Sequence, residues 1–354
     1  MIRWDYIRTM KYKLYTTSSK AWDGMLQEIR RATKSIYMEM YIFLNDTQTT
    51  HDFWGLLIAK AKAGLDVVII ADSFGSASLS NKDIKALRSA GAEFIYFSHW
   101  LRHTHRKILI VDDKIAFLGG VNIDEKIRHW HDLQIKLEGR VVKPLLQSFA
   151  HAYKKVGGRR DSILKHTRLF LVKKIKSWVT DNFYSTNKIY YLNNYYRTRI
   201  SSASKSIKIV TPYLLPPRWL LACLDNARLR GVKIDIIIPQ DTDIKALNKI
   251  NYVNACRLSA LGINFFLSPS MNHAKVMIID DAEGIIGSPN MDVVSFNINM
   301  EVGVFFSQKD LVNDLCRIFE HWKNEAKYFV APFDKLRLLD RIMIKTFKIF
   351  YPIF

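Results

Sequence analysis

Short runs of β-branched and aromatic residues alternate along this chain with stretches whose apolar positions recur at helical spacing. The runs Ser35 to Phe43, Gly64 to Ile70 and Ala92 to Phe97 read as strands. A matching set, Ser206 to Leu214, Gly231 to Ile238 and Ile263 to Leu267, follows in the second half. Ahead of the first set, Trp22, Met25, Leu26 and Ile29 predict a helix with one apolar face, ending at the basic Arg30 and Arg31. The stretch from Asn193 to Ser204 holds the same place in the second half. Strand runs alternating with helical patterns predict α/β layering. The domain-sized period predicts an internal duplication.

Each half carries one copy of a tighter pattern. The first contains His105, Lys107, Asp112, Gly119, Gly120 and Asn122, and the second contains His273, Lys275, Asp280, Gly287, Ser288 and Asn290. The spacing is identical and the two copies lie 168 residues apart. Lys107 to Val111 and Lys275 to Ile279 predict buried strands, with His and Lys two apart on one strand face. The aspartates then begin turns into a second strand, which ends at the glycine-rich Asn segment. Asp112 and Asp280 are expected to hold these hairpins by hydrogen bonds.

Composition narrows the partners without choosing the chemistry. The 354 residues carry 53 Lys and Arg against 33 Asp and Glu, a formal charge of +20. Such a charge favours nucleic acid or an anionic membrane surface. Cys223, Cys256 and Cys316 are far apart and read as reduced core thiols. His129-Trp130-His131 lacks acidic or cysteine partners at ligand spacing, so no metal and no cofactor are expected. The N-terminus does not read as a signal peptide, and no apolar run approaches membrane-spanning length.

Two imidazoles, two ammonium groups and two amides are the parts needed to cleave a phosphodiester. One imidazole attacks phosphorus, the other moves the proton of the leaving and entering oxygens, and Lys107, Lys275, Asn122 and Asn290 hold the non-bridging oxygens. Ser288 offers a hydroxyl where Gly120 offers only backbone. Each imidazole also needs an acceptor to orient it. Asp132, 27 residues after His105, and Glu301, 28 after His273, are placed for this within their own repeats. Glu39 either lines the site or is a core-edge carboxylate; Tyr213 reads as core, and His103 and His131 as supporting residues.

Both copies resemble the paired motif of the phospholipase D superfamily. Tyr41-Ile42-Phe43, the Thr211 to Pro216 segment and the Ser295 to Glu301 segment are similar to bacterial cardiolipin synthases. The resemblance implies an α/β fold of two pseudo-twofold-related phospholipase D-like domains, each a mixed sheet flanked by helices, with the active site at their interface. It implies metal-independent transfer of a phosphatidyl group through a phosphohistidine, with His105 as nucleophile and His273 as acid/base. Phospholipid hydrolysis and nuclease action on DNA or RNA are the alternatives.

The expected divisions are a first repeat at 1–155, a basic connection at 156–188, a second repeat at 189–330 and a basic amphipathic segment at 331–354. That last segment is expected to sit among anionic phospholipids. The expectation is a monomer, since one chain holds both motifs, peripheral on the cytoplasmic face of the cell membrane.

Overall fold

The computed structural model describes residues 11–168, 179–181 and 191–330. The 156–188 connection is therefore described in part, and the 331–354 segment lies outside the described residues. The chain packs as two compact units.

The first unit holds the described residues up to Ser98, Arg106–His129, and those from Gln134 to Val179. Its sheet contains β1 (Lys11–Thr17), β2 (Ser35–Met40), β3 (Asp66–Asp72), β4 (Glu93–Phe97), β5 (Ile108–Val111), β6 (Ile115–Gly119) and β7 (His131–Glu138). The strand order is β1-β7-β6-β5-β2-β3-β4. β2, β3 and β4 run parallel, whereas β2, β5, β6 and β7 pair antiparallel in turn. The helices are α1 (Ser18–Arg31), α2 (Phe53–Lys62), α3 (Asn81–Ser89), α4 (Val142–Lys155) and the single turn α5 (Asp161–Leu164). Thr17, Asp52 and Ser80 cap α1, α2 and α3 by accepting backbone N–H groups of the first turn. Trp22, Met25, Leu26 and Ile29 of α1 are buried, as their spacing predicts.

The second unit repeats this plan. It contains β8 (Val179–Asp181), β9 (Ser206–Val210), β10 (Leu214–Leu215), β11 (Lys233–Pro239), β12 (Asn264–Ser268), β13 (Val276–Ile279), β14 (Glu283–Gly287), β15 (Met291–Asp292), β16 (Val302–Phe306) and β17 (Lys327–Tyr328). Eight of these form a sheet in the order β17-β12-β11-β9-β13-β14-β16-β8, and β10 pairs with β15 apart from it. The run β12-β11-β9-β13-β14-β16 repeats the order and directions of β4-β3-β2-β5-β6-β7. Its helices are α6 (Tyr191–Ser202), α7 (Arg218–Leu229), α8 (Lys245–Ser259), the short α9 (Val293–Asn297) and α10 (Lys309–Glu325). Apolar residues of β9, β11 and β13 join those of α6 and α7 in one buried core that includes Cys223 and Cys256. Two mixed sheets with helices are thus the α/β fold that the alternating pattern predicts.

Both motif hairpins turn through paired aspartates with positive φ, 52° and 58° at Asp112 and Asp113, 54° and 51° at Asp280 and Asp281. Two successive positive-φ residues match the right-handed twist of a tight hairpin, and aspartate tolerates the conformation better than most side chains. The strands themselves start one residue later than predicted, at Ile108 and Val276. His105 and His273 lie before them because their N–H groups are committed elsewhere, to Met300 O at 3.0 Å and to His131 O at 2.7 Å. The same bonding explains why division by packing departs from division by repeat. Residues His99–His105 and Trp130–Leu133 group with the second unit, where Thr104 bridges to Met300 and His131 to Asn272.

Candidate active site

Both motif histidines and both proposed orienting carboxylates belong to the second unit. The pairs are crossed relative to the sequence expectation. His105 Nδ1 meets Glu301, 2.9 Å from Oε1 and 3.2 Å from Oε2. His273 Nδ1 meets Asp132 Oδ2 at 2.8 Å. The backbone explains the exchange. Met300 accepts the N–H of His105 and His131 accepts the N–H of His273, so the residue after each acceptor reaches the imidazole beside it. Matching spacing within each repeat, to within one residue, points to pairing within the repeat, but the bridges run between repeats. A carboxylate only accepts, so Nδ1 carries the proton in each pair and Nε2 is left to the chemistry.

The surroundings of the two pairs differ. Ser288 Oγ donates to Glu301 Oε2 and accepts the Val302 N–H at 3.0 Å, so one hydroxyl ties the carboxylate to β16. Asp132 has no serine counterpart; its Oδ1 accepts the Leu133 N–H at 2.7 Å. Two aromatics pack near the His273 ring, Trp130 tilted at 5.6 Å and Tyr213 edge-on at 6.2 Å between centroids. The Tyr213 hydroxyl donates to Asp243 Oδ1 at 2.6 Å.

Lys275 is buried and donates to the His273 carbonyl at 2.5 Å. Burial pulls its ammonium down to about 8, opposed by the negative charges of Asp132, Glu301, Asp243 and Asp292. A single ammonium therefore lies in the field of both histidine-holding carboxylates. Asp292 is pushed up to about 6, first by burial, while hydrogen bonds from Ser295 and Asn290 resist and Glu301 adds repulsion. It also caps α9 by accepting the Ser295 N–H at 2.7 Å. Asn290 is thereby held by a carboxylate two residues on.

In the first unit, Lys107 is buried with its Nζ 5.0 Å from the centre of the Tyr41 ring. Asn122 is fixed twice, its Oδ1 accepting the Ile42 N–H at 3.2 Å and its carbonyl accepting Trp22 Nε1 at 2.8 Å. Glu39 lies in the interior, paired with the buried Arg106 at 3.3 Å. Arg106 also donates to Ser148 Oγ at 2.8 Å, so the residue between His105 and Lys107 anchors the motif in the core.

The motif aspartates do the same work in each half. Asp112 accepts from the backbone N–H groups of Thr33, Lys34 and Ser35 and from Thr33 Oγ1, at 2.8–3.3 Å. Asp280 accepts from those of Ser204, Lys205 and Ser206 and from Ser204 Oγ, at 2.7–3.1 Å. Each therefore secures the entry to the neighbouring strand, β2 or β9, rather than closing its own hairpin. Burial alone would raise both carboxyls, but these hydrogen bonds hold them below the usual range. Gly119 and Gly120 lie buried at the end of β6, and Gly287 closes β14. A Cβ on Gly287 would fall 2.6 Å from the Val302 carbonyl, so the approach of β14 to β16 needs glycine.

Sequence reasoning did not single out Asp292 or Asp243. For Asp292 a signal existed, since Asn-x-Asp recurs as Asn122-Ile123-Asp124 and Asn290-Met291-Asp292. Asp243 sits in a loop outside the duplicated elements and had no such signal. Among the described residues, no group of three His, Cys, Asp or Glu is placed to hold a metal ion. No helix among them is long and apolar enough to cross a membrane.

Comparison with known proteins agrees with this layout. The sequence model described as cardiolipin synthase, phospholipase D-like domain matches residues 25–153 and 196–323. A cardiolipin synthase of Clostridium perfringens is 30% identical over 362 residues, spanning 95% of this chain and 75% of its own. The minor cardiolipin synthase of Bacillus subtilis is 28% identical, spanning 90% of this chain and 83% of its own. The crystal structure of phosphatidylserine synthase from Haemophilus influenzae is similar in fold, with a TM-score of 0.74 at 16% identity, covering 97% of this chain and 93% of that one. A polyphosphate kinase from Porphyromonas gingivalis shares the fold at a TM-score of 0.63 and 13% identity, covering 96% of this chain and 53% of its own. The fold alone therefore does not select a substrate.

Proposed function

Since this chain belongs to the cardiolipin synthase, phospholipase D-like family, we propose that it is a phosphatidyltransferase acting between phospholipids through a phosphohistidine. The observation that carries the reading is the pair of buried His–carboxylate contacts with one ammonium, Lys275, in the field of both. A phosphodiester needs a nucleophile, a proton donor on the opposite side of phosphorus, and cations for its oxygens.

His105 Nε2 attacks phosphorus, and the bond from phosphorus to the headgroup oxygen breaks. That oxygen takes its proton from Nε2 of His273, which enters this step as the imidazolium with its Nδ1–H on Asp132, and leaves as an alcohol. The acceptor hydroxyl then gives its proton to His273, attacks phosphorus and breaks the bond to His105. Both imidazoles return to their starting states. Glu301 and Asp132 stabilise the cationic rings that form along the way. Lys275 and Asn290 hold the non-bridging oxygens, and the motif assigns Lys107 and Asn122 the same work. The relatives' names support cardiolipin as the product. The family resemblance implies phosphatidylglycerol as donor and acceptor with glycerol released, at an anionic membrane surface that a chain of +20 charge favours.

The test is incubation with labelled phosphatidylglycerol vesicles and, separately, single-stranded DNA, with EDTA present throughout. Cardiolipin with free glycerol is the expected result. Phosphatidic acid alone would make the enzyme a hydrolase, and cleaved DNA with untouched lipid would overturn the lipid reading.

A further inference from the structure

Trp100 is 85% exposed, in a chain whose Trp22, Trp54 and Trp322 are all buried. Its segment is nonetheless well tied down. The His99 ring accepts the N–H groups of Leu101 at 3.3 Å and Arg102 at 3.1 Å, which folds the backbone around Trp100. Below that turn, His103 N–H meets Asn299 Oδ1 at 3.2 Å, and the His103 carbonyl accepts the Met300 N–H at 2.8 Å. His105 follows directly, bonded to Met300 and Glu301. A fixed turn thus presents an indole to solvent five residues before the proposed nucleophile.

The other histidine has a smaller counterpart in the same unit. Tyr213 meets the His273 ring and donates to Asp243. The next residue, Ile244, is 40% exposed. Exposed Lys245 and Lys249 follow on the first turns of α8.

We infer that Trp100, with Ile244 as a second point, docks the site on an anionic phospholipid bilayer. Indole favours the headgroup level, where its apolar body meets lipid and its N–H edge stays wet, and here it is held out on a turn fixed by hydrogen bonds. Arg102, Lys245 and Lys249 supply charges complementary to anionic headgroups, within the strongly basic whole. Each apolar contact lies a short path along the chain or through hydrogen bonds from one histidine. Docking there brings the headgroup phosphates to the reacting nitrogens. The inference rests on the proposed phospholipid substrate.

The experiment uses the full chain with vesicles of equal phosphatidylglycerol and phosphatidylcholine, measured by sedimentation at fixed moderate salt. Trp100→Ala should lower vesicle affinity about tenfold, Trp100→Phe less, and Ile244→Ser about threefold. In Trp100→Ala, the ratio of the rate on vesicles to the rate on dispersed short-chain phosphatidylglycerol should fall by a similar factor. Vesicle affinity and rate ratio unchanged in Trp100→Ala would overturn the inference while leaving phosphatidyl transfer intact. Normal vesicle binding that depends on Trp100, with no lipid product in any form, would support the docking surface and remove the proposed reaction.

Discussion

The two histidine sites carry the same motif and the same crossed bonding, yet their surroundings are built differently. His105 is held by both oxygens of Glu301, and that carboxylate is pinned by Ser288 to β16. His273 is held by one oxygen of Asp132 and steadied by Trp130 and Tyr213, with Lys275 bonded to its own carbonyl. A ring gripped through two linked hydrogen bonds suits a nucleophile, which must approach phosphorus along one line. Aromatic neighbours and a nearby ammonium suit a ring that exchanges protons with two successive alcohols. Duplication supplied equal parts, and local packing made them unequal.

The strongest way to break this comparison is to remove each ring. His105→Ala and His273→Ala should each lower turnover by about 10⁴-fold, since the groups act as a unit. A substrate with a p-nitrophenol leaving group separates the roles, because it needs little proton donation. His273→Ala should release one equivalent of p-nitrophenol rapidly and then stall as a phosphoenzyme, while His105→Ala releases none. The reverse pattern would exchange the two assignments. The crossing makes a further demand. Glu301→Gln should slow the burst by about 10³-fold, whereas Asp132→Asn should keep the burst and slow turnover about a hundredfold. Should the carboxylates act within their own repeats, these two outcomes would trade places.

Ser288 measures the asymmetry directly. Ser288→Gly makes the second motif match the first at Gly120 and frees the Glu301 carboxylate on one side. A hydrogen bond to a charged acceptor is worth about 1.5–3 kcal/mol, so kcat should drop at least roughly tenfold with KM little changed. An undiminished kcat would mean that the hydroxyl does not position His105.

Lys275 gives a pH test. The ammonium is the form that holds phosphate oxygens, and burial lowers its value to about 8. Activity should therefore hold below about pH 8 and fall above it, and Lys275→Arg should move that limb to higher pH because guanidinium stays charged. Stability follows the opposite course. The folded chain gives up this proton near 8 and the unfolded chain near 10.5, so the burial cost is full below 8 and fades as pH rises across that window. Urea unfolding at pH 7.5 and 9.5 should show a gain for this group that Lys275→Met lacks.

Much of this was legible in the sequence, because strand and helix periodicities and an exact motif repeat are local signals. The strands after each Lys, the aspartate turns and the buried face of α1 all follow from residue pattern alone. The crossed pairing was not legible. Spacing from His105 to Asp132 and from His273 to Glu301 differs by a single residue, and only the bridges at Met300 and His131 reveal that each carboxylate serves the other motif. Glu39 was ambiguous for a similar reason, since its partner Arg106 is 67 residues away in sequence. Asp243 lies in a loop between the duplicated elements, so the comparison that revealed the motifs carried no information about it.

The smallest effect tests whether the asymmetry is confined to the histidine pairs. Asp112 and Asp280 accept the same set of hydrogen bonds, from three successive N–H groups and one hydroxyl, at equivalent strand entries. Replacing either by Asn turns an amide NH₂ toward at least one of these donors and removes the charge they stabilise. Each variant should lose about 1–2 kcal/mol of stability, comparable to the loss of a helix cap, while activity per folded molecule stays close to wild type. The pH dependence has a definite sign. Both folded carboxyls titrate below the ordinary value of 3.8, so their contribution is present above that value and is lost as pH falls through the folded one. Acid unfolding curves of wild type and variants should therefore converge only at low pH. Equal losses for Asp112→Asn and Asp280→Asn would show that the scaffold kept its symmetry while the chemistry diverged. A loss of activity well beyond the loss of folded protein in one of them would place that aspartate in the reaction and extend the asymmetry into the hairpins.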